Sequence, residues 1–340
     1  MRHARVKVTG TGCYHVVSRI VDRAFKLDDG EKEIFRRMMR KAEAFSGVRV
    51  LTYAILSNHF HLLVAVPERG EVGEAELLRR MTALYGTTYV AARLQQWKEW
   101  RGNGAGYLVD REQDNLRARM GDVSAFVKTL KQRYSMSYNA RHRRSGTLWE
   151  ERFKSVLVEN GESAKATVAA YIDLNPVRAK LVDDPKDYRW SGYGEACGGG
   201  KTAREGLVEV HDSRHDEQSG AWRHVSARYR TLLYTEGVER HAAYGGQVVR
   251  GGIESREVGN VIENGGRLPL PQVLRCRVRY FTDGMVIGGK AFVERTFNDN
   301  RRFFGAKRKD GARKMRFGEW GALRTARALR VDAVRLPLTT

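Results

Sequence analysis

The chain has 340 residues, which is enough for one large or two smaller domains with buried cores. It carries 61 lysine and arginine residues against 40 aspartate and glutamate residues, and this net charge of +21 predicts a polyanionic partner, nucleic acid first. A basic ribosomal or membrane-surface protein would show the same surplus. The three distant cysteines argue against a disulfide scaffold or a zinc ribbon, and no stretch reaches the ~20 apolar residues of a membrane span. We therefore expect a cytoplasmic protein with no membrane partner.

The first half of the chain alternates between strand-like and helical patterns. The predicted elements are strand 14–20, helix 28–45, strands 48–56 and 60–66, helix 74–96, a polar loop over 101–121, helix 124–140, a β-rich stretch over 146–159 and a helix over 164–181 interrupted at Pro176. The short break between the second and third strands indicates a hairpin. The order β-α-β-β-α-β predicts an α+β fold, a ferredoxin-like antiparallel sheet with helices on one face. The opposite face would then be free for a strand of DNA.

A polar, glycine-rich stretch over 198–204 suggests a boundary between a domain at 1–197 and a basic, mainly helical region at 206–340. In this region, helix 221–234 and a shorter one near 254–264 precede two helical patterns, 270–281 and 290–304, joined by a glycine-containing turn. The last three resemble a helix-turn-helix unit, although helical hairpins are common.

The segment 301–316 is the most basic part of the second region. Its sequence, RRFFGAKRKDGARKMR, has eight basic residues and one acidic residue. A solvated tail would have such a charge, but the two phenylalanines and the interleaved glycines favour contact with the DNA backbone. We expect this region to add affinity for DNA and to leave the chemistry to the first domain.

A His-x-His pattern begins the third predicted strand. Because strand side chains alternate, His59 and His61 share one face and Phe60 points to the other. Two imidazoles on one face can hold a divalent metal. The alternative is an exposed or internally satisfied pair of histidines.

Three polar residues follow one flank of the helix 164–181. Tyr171, Asn175 and Arg178 lie at positions i, i+4 and i+7, which suits a phenol nucleophile, an amide metal ligand and a guanidinium on phosphate. Ordinary packing would also explain the tyrosine. Asn175 followed by Pro176 would equally serve as the N-cap and first residue of a new helix.

Several blocks of the chain, in this order, resemble the single-tyrosine HUH transposases, and among them the REP-associated tyrosine transposases. They are YHVVSR at 14–19, ILSNHFHLLV at 55–64, GTLWEERFKS at 146–155, YIDLNPVRA at 171–179 and YRWSGY at 188–193. The resemblance covers about residues 10–195, and ordered blocks are more specific than any single block. A polar insertion between Val66 and Val123 and the basic C-terminal third depart from the smallest members of the family.

The resemblance implies a role for each matching residue. The HUH histidines fall on His59 and His61, the nucleophile on Tyr171 and the polar metal ligand on Asn175. It implies cleavage of single-stranded DNA beside a hairpin, with Mg²⁺ or Mn²⁺, a 5′-phosphotyrosine and a free 3′-hydroxyl. No nucleotide cofactor is then needed, since the covalent intermediate conserves the energy of the broken bond.

Two alternative functions remain open beside the transposase. One is a relaxase or replication initiator with the same site, and the other is a non-catalytic nucleic-acid-binding regulator on the same fold. The sequence leaves monomer and homodimer undecided. We expect the following basic residues to contact DNA: Arg19, Lys131, Arg152, Lys154, Arg178, Arg301, Arg302, Lys307, Arg308 and Lys309.

Overall fold

A computed structural model describes residues 6, 8, 10–211, 221–233, 240–241, 248–250, 267, 269–327 and 334–335. The first four strands are β1 (Gly12–Arg19), β2 (Arg49–Ile55), β3 (His59–Val66) and β4 (Lys154–Val158). Strands β2 and β3 form the expected hairpin. The shorter strands are β5 (Arg240–His241), β6 (Val248–Arg250), β7 (Arg277–Val278), β8 (Val286–Gly288), β9 (Arg313–Lys314), β10 (Arg324–Thr325) and β11 (Val334–Arg335).

Helix α1 (Asp29–Ser46) has clear start and stop signals. The side chain of Asp28 accepts a hydrogen bond from the backbone N–H of Glu31, and Gly47 ends the helix with φ of 71°. A short side-chain acceptor at the start and a left-handed glycine at the end are the preferred caps of an α-helix. These caps explain why the sequence predicts the bounds of this helix to within one residue at each end.

The expected long helix over 74–96 is wrong, because Gly86 breaks it with φ of 89°. The chain instead forms α2 (Glu74–Tyr85) and α3 (Thr87–Gly102). The expected loop over 101–121 is also wrong, since it contains α4 (Gly106–Arg117). These three helices bury a small apolar core of their own around Trp97.

Helices α5 (Val123–Arg141) and α6 (Glu162–Asp173) lie where the sequence predicts helices, and α7 (Asn175–Arg178) follows the predicted interruption. Two further helices were not predicted: α8 (Gly192–Cys197), and α9 (Lys201–Val210), which begins within the stretch expected to be a boundary. Helix α6 ends before Pro176, as the proline requires.

The expected boundary at 198–204 does not separate two cores. Helix α9 packs on β2 so closely that Gly206 lies against the backbone of Leu51, where a Cβ would come within 2.5 Å of the Leu51 carbonyl oxygen. The next helix, α10 (Ala221–Leu233), also belongs to the core shared with the first half, and the pattern 221–234 predicted it correctly.

The helix-turn-helix expectation for the C-terminal region is wrong. The described residues form short helices α11 (Leu270–Val273) and α12 (Tyr280–Asp283), and a longer helix α13 (Lys290–Asp299). Strand β8 occupies the expected turn. The helix predicted near 254–264 lies outside the described residues.

The main sheet has seven strands in the order β2-β3-β1-β4-β8-β10-β9. Its first four strands have the order and antiparallel pairing of a ferredoxin-like sheet, so the α+β prediction is confirmed. Three strands from the C-terminal region extend it, and β8 pairs with β4 in the parallel direction. This region is therefore a mixed α/β part of the same sheet and not a separate helical domain.

Helices cover both faces of the sheet, so the expected free face for DNA is absent. Helices α1 and α5 pack on one face, which contains Phe60 and is called here the α1/α5 face. Helices α6 to α12 pack on the other, which contains Leu63 and is called the α6 face. Helix α13 belongs to the α1/α5 face, where Val293 is buried. Within the described ranges, no helix is long and apolar enough to cross a membrane.

Candidate functional site

A cleft of about 800 Å³ lies at the edge of the α6 face, where β1 ends and β3 begins. It is lined by His59, His61, Tyr171 and Asn175. Strand β3 supplies the two histidines, and α6, which packs on that face, brings Tyr171 to them. The structure therefore brings together the four residues that the sequence singled out.

The two histidines lie on one face because the strand alternates. Their ring centroids are 5.1 Å apart, and both rings line the cleft. The ring of Phe60 between them points to the α1/α5 face and packs 4.8 Å from the ring of Phe35. The pattern His-Phe-His thus places two histidines in the site and one phenylalanine in the core.

The hydrogen bonds of His59 determine which nitrogen carries its proton. The side-chain N–H of Asn58 donates to the carbonyl oxygen of Arg23 at 3.0 Å, which fixes the orientation of the amide. The Asn58 oxygen lies 2.6 Å from Nδ1 of His59, so Nδ1 must be the donor. Nε2 of His59 is then left with a free lone pair, as a metal ligand requires.

Burial keeps both histidines neutral. It lowers the pKa of His59 to about 3, and the nearby positive charges of Arg19 and Arg178 act in the same direction. Burial likewise lowers the pKa of His61 well below its ordinary value. Neutral imidazole is the ligating form, so neither residue needs to lose a proton before it binds a metal at neutral pH.

Tyr171 is buried except where it lines the cleft. Its ring contacts the rings of His61 and Phe281, with centroid distances of 6.3 Å and 4.6 Å. The guanidinium carbon of Arg178 lies 3.9 Å from the centroid of the tyrosine ring. Packing from both sides holds the phenol in place beside the histidines.

Asn175 does not act as a helix cap. Leu174 is the N-cap of α7, and no side-chain hydrogen bond closes that end. The Asn175 amide N–H donates to the carbonyl oxygen of Tyr171 at 3.4 Å, which leaves the amide oxygen available at the cleft. The capping alternative for this residue is therefore removed.

A metal site here would consist of two imidazoles and one amide oxygen. In the part of the chain that the structure describes, no group of three or more histidine, cysteine, aspartate or glutamate side chains could hold a metal. Nitrogen and carbonyl oxygen donors nevertheless suit a divalent cation that is also bound by phosphate. His59, His61 and Asn175 thus fit such a cation by donor type.

Arg178, which the sequence assigned to phosphate, lines the cleft, and its guanidinium is hydrogen-bonded to two backbone carbonyl groups. Nη2 donates to the carbonyl oxygen of Tyr171 at 2.6 Å, and Nη1 donates to the carbonyl oxygen of Leu274 at 2.7 Å. Burial lowers the pKa of this guanidinium. Arg178 joins the end of α6 to the C-terminal region.

Basic residues outnumber acidic ones around the cleft. Arg19, Arg152 and Lys154, which the sequence assigned to DNA contact, line it, and Lys154 is paired with Asp283 at 3.0 Å. Lys131 is not among the lining residues; its Nζ donates to the carbonyl oxygen of Glu151. Sequence reasoning missed the basic residues Arg23, Lys180 and Arg277, which also line the cleft.

The basic segment 301–316 lies away from the cleft and uses two of its arginines internally. Arg301 donates to four backbone carbonyl groups of the same segment, and Arg308 donates to those of Asp310 and Gly311. These two guanidinium groups fold the segment. The side chains of Arg302, Lys307 and Lys309 are exposed.

Sequence reasoning also missed His15, which is buried beside His61. It belongs to the block YHVVSR, and strand alternation would have placed it on the same face as the HUH histidines once β1 was paired with β3. No comparable sequence signal marks Phe281, which reaches the site from a distant part of the chain.

Neither a protein-family model nor a curated protein matches this chain. A solved structure described as the "Structure of the REP associates tyrosine transposase bound to a REP hairpin" is similar to it, with a TM-score of 0.39 and 15% sequence identity. The match covers 59% of this chain and 87% of that one. That structure is of the family which the sequence blocks resemble, but an identity this low transfers no residue's role.

Proposed function

We propose that this protein is a metal-dependent DNA transposase that cleaves and rejoins single-stranded DNA near hairpins through a 5′-phosphotyrosine on Tyr171. One observation carries the proposal: Tyr171, His59, His61 and Asn175 line a single cleft whose charged residues are mostly basic. A polyanionic substrate suits both this cleft and the net charge of +21.

His59, His61 and Asn175 would hold the Mg²⁺ or Mn²⁺ ion. When bound, such a cation would polarise the scissile phosphate and stabilise the charge that develops on it. The two imidazoles contribute neutral lone pairs, since burial lowers the pKa of each. The amide of Asn175 contributes an oxygen without adding charge.

Tyr171 performs the covalent step. Its phenolic oxygen forms a bond to the scissile phosphorus and gives up its proton, while the bond from phosphorus to the 3′ oxygen breaks. The 3′ oxygen takes up a proton and leaves as a hydroxyl. Because the phosphodiester is exchanged for a phosphotyrosyl ester, a DNA hydroxyl can later attack it and rejoin strands.

The basic residues of the cleft bind the sugar-phosphate backbone. Arg19, Arg23, Arg152 and Arg277 surround the nucleophile, and each phosphate neutralised steepens the salt dependence of binding. The exposed Arg302, Lys307 and Lys309 lie outside the cleft, where they would contact a more distant part of the DNA, such as a hairpin stem.

The test is covalent capture of DNA. Full-length protein is incubated with labelled single-stranded hairpin DNA and Mn²⁺ or Mg²⁺, and denaturing gels are examined for a protein–DNA adduct. Tyr171→Phe removes only the hydroxyl and keeps the packed ring, so it should retain DNA binding and lose the adduct completely. Tyr138→Phe is the matched control, since Tyr138 packs on the α1/α5 face.

His59→Ala and His61→Ala should also lose the adduct, as should chelation of the metal with EDTA. An adduct that survives Tyr171→Phe would exclude Tyr171 as nucleophile. Tight binding by the wild type without any adduct would instead support a non-catalytic regulator. Transfer to a second strand distinguishes a strand transferase from a simple nuclease.

A further inference from the structure

His15 lies between two polar partners in the core of the α6 face. Its side chain is buried, with Nδ1 2.7 Å from the carbonyl oxygen of Phe281 and Nε2 2.9 Å from Nδ1 of His61. A carbonyl oxygen only accepts hydrogen bonds, so Nδ1 of His15 carries the proton. A neutral His15 then accepts at Nε2, and His61 must donate from Nδ1.

We propose that His15 is a positioning residue that keeps His61 in the tautomer whose Nε2 is free to bind a metal. The proposal rests on the proposed function, in which His61 is a ligand. The His15 and His61 ring centroids lie 5.1 Å apart, and the ring planes differ by 22°. The hydrogen bond therefore joins two nearly coplanar rings edge to edge, and it sets both the proton and the direction of the His61 ring.

The C-terminal region controls this arrangement through Phe281. Its carbonyl group orients His15, and its ring packs against the nucleophile Tyr171. One residue outside the N-terminal motifs therefore supports both a metal ligand and the phenol. Such outer partners of ligating histidines typically change metal affinity by about 10- to 100-fold when they are removed.

The test uses full-length protein and two readouts other than activity. Long-range ¹H–¹⁵N NMR of the metal-free protein reports histidine tautomers, and calorimetric titration with Mn²⁺ reports affinity. In the wild type, His61 should be protonated at Nδ1. His15→Phe should remove this preference and weaken Mn²⁺ binding by about 10- to 100-fold. Tyr14→Phe, on the opposite face of the same strand, should change neither.

His15→Gln is the second variant, in case His15→Phe does not fold. Glutamine can still accept a hydrogen bond from His61. It should restore most of the tautomer preference and the Mn²⁺ affinity. A folded His15→Phe protein with unchanged tautomer and affinity would overturn the positioning role. A wild type that binds no Mn²⁺ would overturn the proposed function instead, while the NMR result still decides whether His15 sets the tautomer.

A separate observation concerns Phe25, at the rim of the cleft. Its side chain is 82% exposed, the highest value among the exposed large hydrophobic residues of the described ranges. It lines the cleft together with Arg19 and Arg23. An aromatic ring beside arginines is the arrangement by which proteins stack unpaired bases while they bind the backbone.

The loop that carries Phe25 is fixed to the turn that carries the HUH histidines. Asp22 and Arg23 have φ of 58° and 56°, a left-handed conformation that is unfavourable for non-glycine residues. Asn58 holds the loop at the carbonyl group of Arg23, and the N–H of Leu27 donates to the carbonyl oxygen of Ser57. The backbone that carries Phe25 therefore has a fixed position relative to His59.

From this geometry we infer that Phe25 is a stacking platform for one unpaired base next to the scissile phosphate. This inference also rests on DNA being the substrate. It predicts that Phe25→Ala weakens binding of single-stranded hairpin DNA by about 5- to 150-fold, the value of one base–aromatic stack. Phe25→Trp should restore the affinity.

Abasic substitution in the DNA identifies which base stacks on Phe25. Fluorescence anisotropy is measured with oligonucleotides that lack one base at successive positions of the single-stranded flank. At one position the abasic DNA should bind the wild type as weakly as Phe25→Ala does, and the variant should show no further loss. Tyr107→Ala, an equally isolated exposed aromatic away from the cleft, is the control.

Equal losses for wild type and Phe25→Ala at every abasic position would overturn the stacking platform. No measurable binding of any DNA by the wild type would overturn the proposed function instead. A loss in Phe25→Ala that Phe25→Trp does not recover would also contradict stacking, since tryptophan offers the larger aromatic surface.

Discussion

The two faces of the sheet bury different kinds of side chain. The α1/α5 face is closed by rings such as Phe35, Phe60 and Trp149, whose centroids lie 4.8–6.1 Å apart. The α6 face buries hydrogen-bonded polar groups among its apolar ones. Asp173 is an example: it accepts from the hydroxyl of Tyr229 at 2.7 Å and from the backbone N–H of Tyr193 at 3.0 Å, and burial raises its pKa to about 7.

The difference shows how one strand can serve stability and chemistry at once. Neighbouring residues of β3 point to opposite faces, so Phe60 strengthens a dry core while His59 and His61 line the cleft. Buried polar groups must keep their partners, because an unpaired one costs about 1–3 kcal/mol. The α6 face is completed by helices α6 to α12, whereas the α1/α5 face takes α1, α5 and α13.

Truncation after residue 200 should give the largest effect. It removes α9 to α12, which cover the α6 face, together with α13, and so exposes the apolar residues around Leu51 and Leu63. We expect loss of a cooperative thermal transition in circular dichroism and aggregation in gel filtration. A soluble truncated monomer that melts cooperatively and still forms the DNA adduct would show that the first part folds alone.

Phe35→Ala should have the next largest effect and should separate stability from chemistry. Phe35 is fully buried on the α1/α5 face, so the substitution should lower the free energy of unfolding by about 3–5 kcal/mol. Urea titration measures the loss, with Phe35→Leu as the milder control. Per folded molecule, adduct formation should be unchanged; a selective loss of adduct would mean that the two faces are coupled.

Glu31→Gln tests the main polar exception on the α1/α5 face and should have the smallest effect. Burial raises the pKa of Glu31, but hydrogen bonds from Arg141, His142 and Tyr134 outweigh it, so the folded pKa lies below the ordinary 4.5. The stabilisation of the fold by the ionised Glu31 carboxylate is therefore complete above pH 4.5 and is lost as the pH falls through the folded pKa. Near neutral pH the variant should be less stable by about 1–3 kcal/mol.

Urea titrations of both proteins across this pH range provide the check. The stability difference between wild type and Glu31→Gln should shrink as the pH falls below 4.5. A difference that stays constant from neutral to acidic pH would mean that the charge of Glu31 does not stabilise the fold.

Local signals predicted the elements that hold the candidate site. The caps of α1, the alternating hairpin before Pro67 and the interruption at Pro176 depend on neighbouring residues, so the sequence shows them directly. The same alternation placed His59 and His61 on one face, and the helical spacing put Tyr171 and Asn175 on one flank.

Local sequence signals could not predict the contacts between distant parts of the chain. The pairing of β8 with β4 and the contact of Phe281 with Tyr171 depend on where a distant segment docks. The sequence of α4 is mostly polar and was therefore taken for a loop. Its apolar side is covered by α2 and α3. A bulge in β2 between Val50 and Thr52 shifts the register and lets Thr52 donate to Asp173, which strict alternation would not predict.

The hydrogen bond from His15 to the carbonyl group of Phe281 joins residues 266 positions apart. Contacts between such distant residues form late in folding, because a very long loop must close first. During synthesis the N-terminal motifs leave the ribosome long before Phe281 is made. A nascent chain would therefore carry His59, His61, Tyr171 and Asn175 without the support that positions them. The proposed activity would begin only after Phe281 has been translated.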